Sequence, residues 1–307
     1  MDRIPILLKM HQGYGLGDNV AFSIVLKHLA KYRPNWCIDF ITDRGKHKAA
    51  VGLCNRVWHY DQPEALPHYA KEIKVTLYEN CGNWTDRPNT LAIACLHEKF
   101  GLPYDTSLGR YACHVSEEAS NLAKSWLASV RIGRTASGRF GAIVIHPHGR
   151  SVPSLKDLTS MQTKEICEFI HWIGVAPIVL DWDGKFSPGE LERMGAISPS
   201  DCPQLWGGDA ETNAAIISQC EAFIGVDSGP GKIASATDTP SLIVWTGHHP
   251  INYHDPAPNT THLVPESHRS MVTFSTNYFE RTYSYRTYGD GDELTGEVQR
   301  WLSDICR

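Results

Sequence analysis

Three short stretches of this chain combine residue types suited to an anionic ligand and a hydroxyl beside it. In Gly13-Tyr14-Gly15-Leu16-Gly17-Asp18, glycines leave room for a ligand next to a carboxylate able to take a proton. His146-Pro147-His148-Gly149-Arg150, followed by Lys156, places cations and polar groups behind an apolar run. Lysine, a point charge on a flexible stem, is a usual phosphate ligand. In Asp227-Ser228-Gly229-Pro230-Gly231-Lys232, the glycines permit close backbone approach and the serine offers a hydroxyl. Lys232 adds positive charge at a helix start, where backbone N–H groups already attract anions.

Each stretch also has an ordinary reading. Asp18 at a helix start serves as a cap, the residues after His146 as a solvated loop, and Asp227–Lys232 as a turn with a helix start. Asp181 and Asp183 in Asp-Trp-Asp-Gly either meet a ribose or base edge or make a turn. His248, His249 and His254 offer a metal site, the lining of a sugar or nucleotide pocket, or plain loop residues; no ligand spacing supports the metal, and none is assigned. The Gly13–Asp18 spacing differs from the G-x-G-x-x-G dinucleotide fingerprint, and Asp43 lies just beyond the end of the second strand, which argues against a dehydrogenase.

The elements that must position these residues alternate strand and helix. Strands are expected at Pro5–Met10, Cys37–Thr42, Ile73–Tyr78, Phe140–His146, Val175–Leu180, Phe223–Val226 and Leu242–Trp245. Helices are expected at Asn19–Tyr32, Gly45–Cys54, Thr90–Phe100, Glu117–Val130 behind a Ser116 cap, Thr163–Ile173, Ala210–Cys220 behind Asp209, and Asp292–Ile305. This rhythm implies an α/β chain with mostly parallel sheets covered on both faces. Two such units with a hinge near 131–140 and a cleft between them fit the 307 residues.

Formal net charge is -5, from 29 Lys and Arg against 34 Asp and Glu, so no bulk nucleic-acid binding is expected. No apolar run reaches membrane-spanning length and no signal peptide opens the chain, so a cytoplasmic protein without stable membrane insertion is expected. The nine scattered cysteines form no Cys-x-x-Cys pair and read as reduced thiols.

With these residues placed, the chain resembles the bacterial heptosyltransferase family, glycosyltransferases of GT-B type (glycosyltransferase family 9). The likeness runs across residues 4–265 and rests on three places: ILLKMHQGYGLGDNV, AIVIHPHGRSVPSLKDL and DSGPGKIA, Asp227–Ala234. It implies two Rossmann-like domains facing a central cleft: an acceptor-side domain at 1–135, a nucleotide-sugar-binding domain at 136–290, and a helix at 291–307 packing back across both. It makes Asp18 the match to the family's proposed catalytic base and Lys156 the match to its phosphate-binding lysine. Lys156, Asp227, Ser228, Gly229, Pro230, Lys232, His146, Arg150 and Asp181 are the expected donor-binding set. Transfer would be inverting and metal-independent, from a nucleotide-diphospho-sugar, ADP-heptose by family analogy, to a glycan or other hydroxyl acceptor, with no cofactor besides the donor.

This sequence departs from the family pattern in three ways. Lys232 stands where the family usually has His, the loop after the first strand is longer than a minimal version, and the tail with Arg269, Arg281 and Arg286 has no matching counterpart. A nucleotide-sugar epimerase or hydrolase, and a non-catalytic sugar-nucleotide or glycan-binding module, remain the alternatives.

Overall fold

A computed structural model describes residues 3–62, 66–75, 90–149, 151, 153–202, 205, 208–269, 284–289 and 293–306. Strand β1 (Ile4–Met10) is an apolar run whose Leu7 and Leu8 are fully buried, as a parallel strand covered on both faces requires. It pairs in parallel with β2 (Trp36–Thr42) on one side and β4 (Lys71–Val75) on the other, and β3 (Arg56–His59) extends the sheet beyond β2. The order β3-β2-β1-β4 therefore reverses direction between β1 and β4. Helices α1 (Leu16–Tyr32) and α2 (Leu91–Phe100) pack together on this sheet.

The second sheet holds six strands in the order β10-β9-β8-β7-β5-β6, all parallel. Its strands are β5 (Phe140–His146), β6 (Ala176–Val179), β7 (Cys220–Val226), β8 (Ser241–Val244), β9 (Thr260–Pro265) and β10 (Ser284–Tyr288). The helices that accompany it are α4 (Pro153–Lys156), α5 (Ser160–Trp172), α6 (Pro188–Arg193), α7 (Ala210–Gln219), α8 (Gly229–Ala236), α9 (Pro250–Tyr253) and α10 (Glu293–Ile305). Strand order reverses between β5 and β7, so a crevice opens beyond their carboxyl ends. Two Rossmann-like halves thus present their switch points to one another.

The halves meet through helices. α1 packs on α8, and α3 (Glu117–Ser129) packs on α7. Trp126 and Leu127 of α3 share one buried cluster with Ala214 and Ile217 of α7, so this helix, counted with the first domain from sequence, rests on the second. Local capping supports these elements: Ser116 accepts from Ala119 N at 3.2 Å and Asp209 from Thr212 N at 2.7 Å, bonds worth about 1 kcal/mol each.

Several elements differ from expectation. The helix expected at Gly45–Cys54 is a short 3-10 turn at Lys46–Ala50. The strand expected at Ile73–Tyr78 is β4, and 76–78 lie outside the described residues. The expected hinge near 131–140 contains a tight hairpin, with Arg134 bridging Phe140 and Thr135 N donating to Arg139 O at 2.8 Å. The last helix, expected to pack back across both domains, makes its main contacts among the described residues with the second domain. Leu294, Val298, Trp301 and Leu302 of α10 join Ile143, Ile166 and Ile170 of the second domain, and the helix packs against α5 and β10.

Candidate functional site

The loops at the two switch points enclose a cavity of about 770 Å³ between the sheets. Gly13–Asp18, Arg44 and Lys46 line it from the first domain; His146, His148, Lys156, Trp182 and Asp227–Pro230, with Lys232, line it from the second. Residues far apart in sequence therefore meet because both sheets end there.

On the first-domain wall, Gly13 adopts φ +89°, a left-handed conformation that favours glycine and turns the chain out of β1. Gly13 N donates to Asp43 Oδ2 at 3.2 Å, and Lys46 Nζ bonds that same oxygen at 2.8 Å and Tyr14 O at 2.5 Å. Asp18 sits in the first turn of α1, where its Oδ2 accepts from Gly15 N at 2.7 Å. This bond fixes the carboxylate at the cleft edge, as the capping reading of Asp18 expects.

On the facing wall, β7 delivers Asp227 and Ser228 to the start of α8. Ser228 Oγ lies 3.0 Å from His146 Nδ1, at the end of the neighbouring strand. Burial pushes His146 down to about 3, so its imidazole is neutral at neutral pH. Lys156 Nζ is 2.9 Å from Asp227 Oδ2 and within 3.3 Å of Ser151 Oγ. Pro230 lies in the first turn of α8, where a missing N–H costs nothing.

Lys232 is the most informative side chain on this wall. It is 4% exposed, yet its ammonium has neither a hydrogen bond nor an ion pair among the described residues. It points across the domain boundary: a Cβ built on Gly17 would lie 3.5 Å from Lys232 Nζ. A buried cation facing a cavity at a helix N-terminus is arranged to receive negative charge.

The other expected residues divide. Asp181 lines the cavity, but its two oxygens accept from Lys185 N at 2.9 Å and Phe186 N at 2.7 Å, so the carboxylate closes the turn after β6. Arg150 lies outside the described residues. The three clustered histidines diverge: His248 lines the cavity against Tyr253, His249 caps α9, and His254 is buried beside Ser235.

Trp182 and Asn213 line the cavity and were not singled out from sequence. Trp182 Nε1 donates to Asn213 Oδ1 at 3.0 Å, and Asn213 Nδ2 donates to Gly208 O at 2.6 Å, which fixes an indole on the second-domain wall. His148, part of the stretch singled out from sequence, lines the cavity and packs on Phe186 with Asp157 Oδ2 3.3 Å from its Nδ1. The tryptophan inside Asp-Trp-Asp-Gly at a strand end was the available signal.

Comparison with known proteins supports this architecture. Across 99% of this chain the fold matches 98% of a glycosyl transferase family 9 protein from Veillonella parvula DSM 2008, with TM-score 0.68 and 14% identity. E. coli ADP-heptose lps heptosyltransferase II matches over 98% of both chains, with TM-score 0.56 and 13% identity. E. coli heptosyltransferase WaaC with ADP-2-deoxy-2-fluoro heptose matches over 97% of this chain and 99% of its own, with TM-score 0.56 and 12% identity. The chain therefore has the GT-B fold of two Rossmann-like domains. Within that class it resembles glycosyltransferase family 9 (heptosyltransferase), whose family model matches residues 207–281, the segment that carries Asp227–Ala234. No curated protein matches the sequence.

Proposed function

We propose that the protein is an inverting glycosyltransferase that moves a sugar from a nucleotide-diphospho-sugar to a hydroxyl acceptor without a metal. The observation that carries this reading is the buried ammonium of Lys232 at the start of α8, with no hydrogen bond or ion pair among the described residues and facing the Gly17–Asp18 edge of the other domain. The diphosphate would lie against the α8 N-terminus, Ser228 and Lys232, with Lys156 beside it. Trp182 offers a flat surface for the nucleoside base.

In the reaction, Asp18 removes the acceptor hydroxyl proton as that oxygen bonds to the anomeric carbon from the face opposite the diphosphate. The anomeric carbon–oxygen bond breaks and its electron pair leaves with the nucleoside diphosphate. Charge developing there is stabilised by Lys232 and the α8 backbone N–H groups, which need no reorganisation. These cations supply what a metal supplies elsewhere. Two of the similar structures are described with ADP-linked heptose chemistry, so an ADP-linked donor, heptose included, is the first to test. No helix among the described residues is long and apolar enough to cross a membrane.

The test is release of nucleoside diphosphate from a panel of nucleotide-sugars, with and without glycan acceptors. Acceptor-dependent release is expected. Release that ignores the acceptor indicates a hydrolase, and binding without turnover indicates a non-catalytic module; either result overturns the proposal.

A further inference from the structure

Asp255 is a buried carboxylate that sugar transfer leaves without a role. It follows α9 on the second domain and is 1% exposed. Three hydroxyls of the first domain converge on it. Tyr104 donates to Oδ1 at 2.9 Å, Thr90 to the same oxygen at 3.1 Å, and Tyr111 to Oδ2 at 3.3 Å. In return the Asp255 N–H donates to the Tyr111 oxygen at 2.7 Å.

One end of this cluster reaches the cleft and the other leads to α8, through the bond between His254 Nδ1 and Asp255 O at 2.9 Å. Thr90 caps α2, accepting from Ile93 N at 3.5 Å, and the next residue, Leu91, lines the cavity. On the other side His254, adjacent to Asp255, lies 3.3 Å from Ser235 Oγ of α8, three residues after Lys232. A continuous set of hydrogen bonds thus runs from the first turn of α2, through Asp255, to the helix that carries the anion-binding lysine.

Two other ion pairs between the halves have an exposed partner. Lys48 pairs with Glu211 at 2.7 Å and Arg110 with Asp238 at 2.7 Å, but Lys48 and Arg110 are 39% and 38% exposed in their side chains. Exposed pairs of this kind contribute little. Removing the Asp255 carboxylate instead takes an acceptor from the buried Thr90 hydroxyl, which costs its desolvation.

We propose that Asp255 is a positioning residue, a dry clamp that holds the Thr90–Leu91 edge of the first domain against α8 and so keeps the two walls of the cleft in register. Its effect on turnover rests on the transferase reading; the clamp itself does not. Asp255 touches no reacting atom and acts through Thr90, Tyr104, Tyr111 and α8.

The experiment compares the full chain with Asp255→Ala, Asp255→Asn and Tyr104→Phe. The readouts are small-angle scattering, amide hydrogen exchange, ADP titration and turnover of the nucleotide-sugar panel. Asp255→Ala is expected to increase the radius of gyration and to lower amide protection across Leu91–Phe100 by about tenfold or more. ADP affinity is expected to stay unchanged, because the probe binds the second domain, while kcat falls. Asp255→Asn, which keeps one acceptor oxygen, restores part of both losses. Tyr104→Phe removes a single hydroxyl and shifts protection the same way by less, which keeps the test decisive if the alanine variant does not fold. Unchanged exchange and scattering in the variants that fold overturns the clamp. Altered exchange and scattering in a chain that turns over no nucleotide-sugar leaves the clamp standing and overturns the transferase reading instead.

Discussion

Gly17 and Gly229 meet across the domain boundary with no side chain between them. A Cβ on Gly17 would lie 3.3 Å from Gly229 Cα, and a Cβ on Gly229 would lie 2.8 Å from Leu16 Cβ and 3.0 Å from Gly17 N. The first turns of α1 and α8 therefore touch by backbone, which brings Asp18 and Lys232 to the same end of the cleft. Gly229→Ala forces Leu16 and the backbone of Gly17 to move. Thermal unfolding should show a loss of about 1–3 kcal/mol, as for overpacked cores, and turnover should fall with it. Unaltered stability and turnover would show that the helices are not held together at this point.

Lys156 and Asp227 form a nearly dry pair, with side chains 12% and 5% exposed. Lys156→Ala strands the Asp227 carboxylate and should destabilise the fold by about 3–5 kcal/mol, while also weakening donor binding. Adding Asp227→Asn to Lys156→Ala removes the stranded charge. Calorimetry should then find most of the stability restored and donor affinity still reduced. Recovery of both would make Lys156 a structural partner of Asp227 and nothing more.

Lys232 should show the opposite balance. A buried ammonium with no hydrogen-bonded anion among the described residues disfavours the folded state, so Lys232→Met should raise the thermal midpoint of the ligand-free protein. The same change should weaken ADP binding by about tenfold or more, the worth of a charge-assisted hydrogen bond. Titration of ADP into both proteins, with melting curves alongside, checks the pair of effects. A variant with undiminished affinity would remove Lys232 from the diphosphate site.

Four desolvated imidazoles, three of them buried, give stability a pH dependence. Burial lowers His146 and His254 to about 3 and His249 to about 4, and it lowers His262, which accepts from Trp245 Nε1 at 3.0 Å, well below its ordinary value. Because each folded value lies beneath the unfolded one near 6.5, their contribution is complete above about pH 6.5 and is lost as pH falls toward 4. Asp255 works the other way. Burial raises it to about 6, against bonds from Tyr104, Thr90 and Tyr111 and the charge of Lys232, so its burial favours the fold below that pH. Four groups outweigh one, and the unfolding midpoint should drop steadily from pH 7 to pH 4.5. A flat profile would mean that these imidazoles are charged in the folded protein.

The parts of the fold that were legible in the sequence are those in which local pattern and tertiary position agree. Phe140–His146 and Phe223–Val226 are apolar runs ending in polar loops, and both are central strands. β9 and β10 were missed because TTHLVP and SYRTY carry polar residues that only tertiary contacts bury or pair, as with His262 against Trp245. α1 starts at Leu16, three residues early, because Asp18 bonds back to Gly15 and draws the glycines into the first turn. In the site, the glycines and cations were readable as an anion cradle, whereas two features were not. The closure of a turn by Asp181 depends on where Lys185 and Phe186 return, and the Asp255 cluster joins residues more than a hundred positions apart. No periodicity encodes either.

The proposed role of Asp18 is tested most directly by single-turnover transfer with Asp18→Asn, measured beside donor affinity. Asparagine preserves the shape and can keep the bond from Gly15 N but cannot take a proton. The account predicts a fall in the transfer rate of about 10²–10⁴-fold, the contribution of a positioned general base, with donor affinity nearly unchanged. Transfer at the full rate by Asp18→Asn would contradict it.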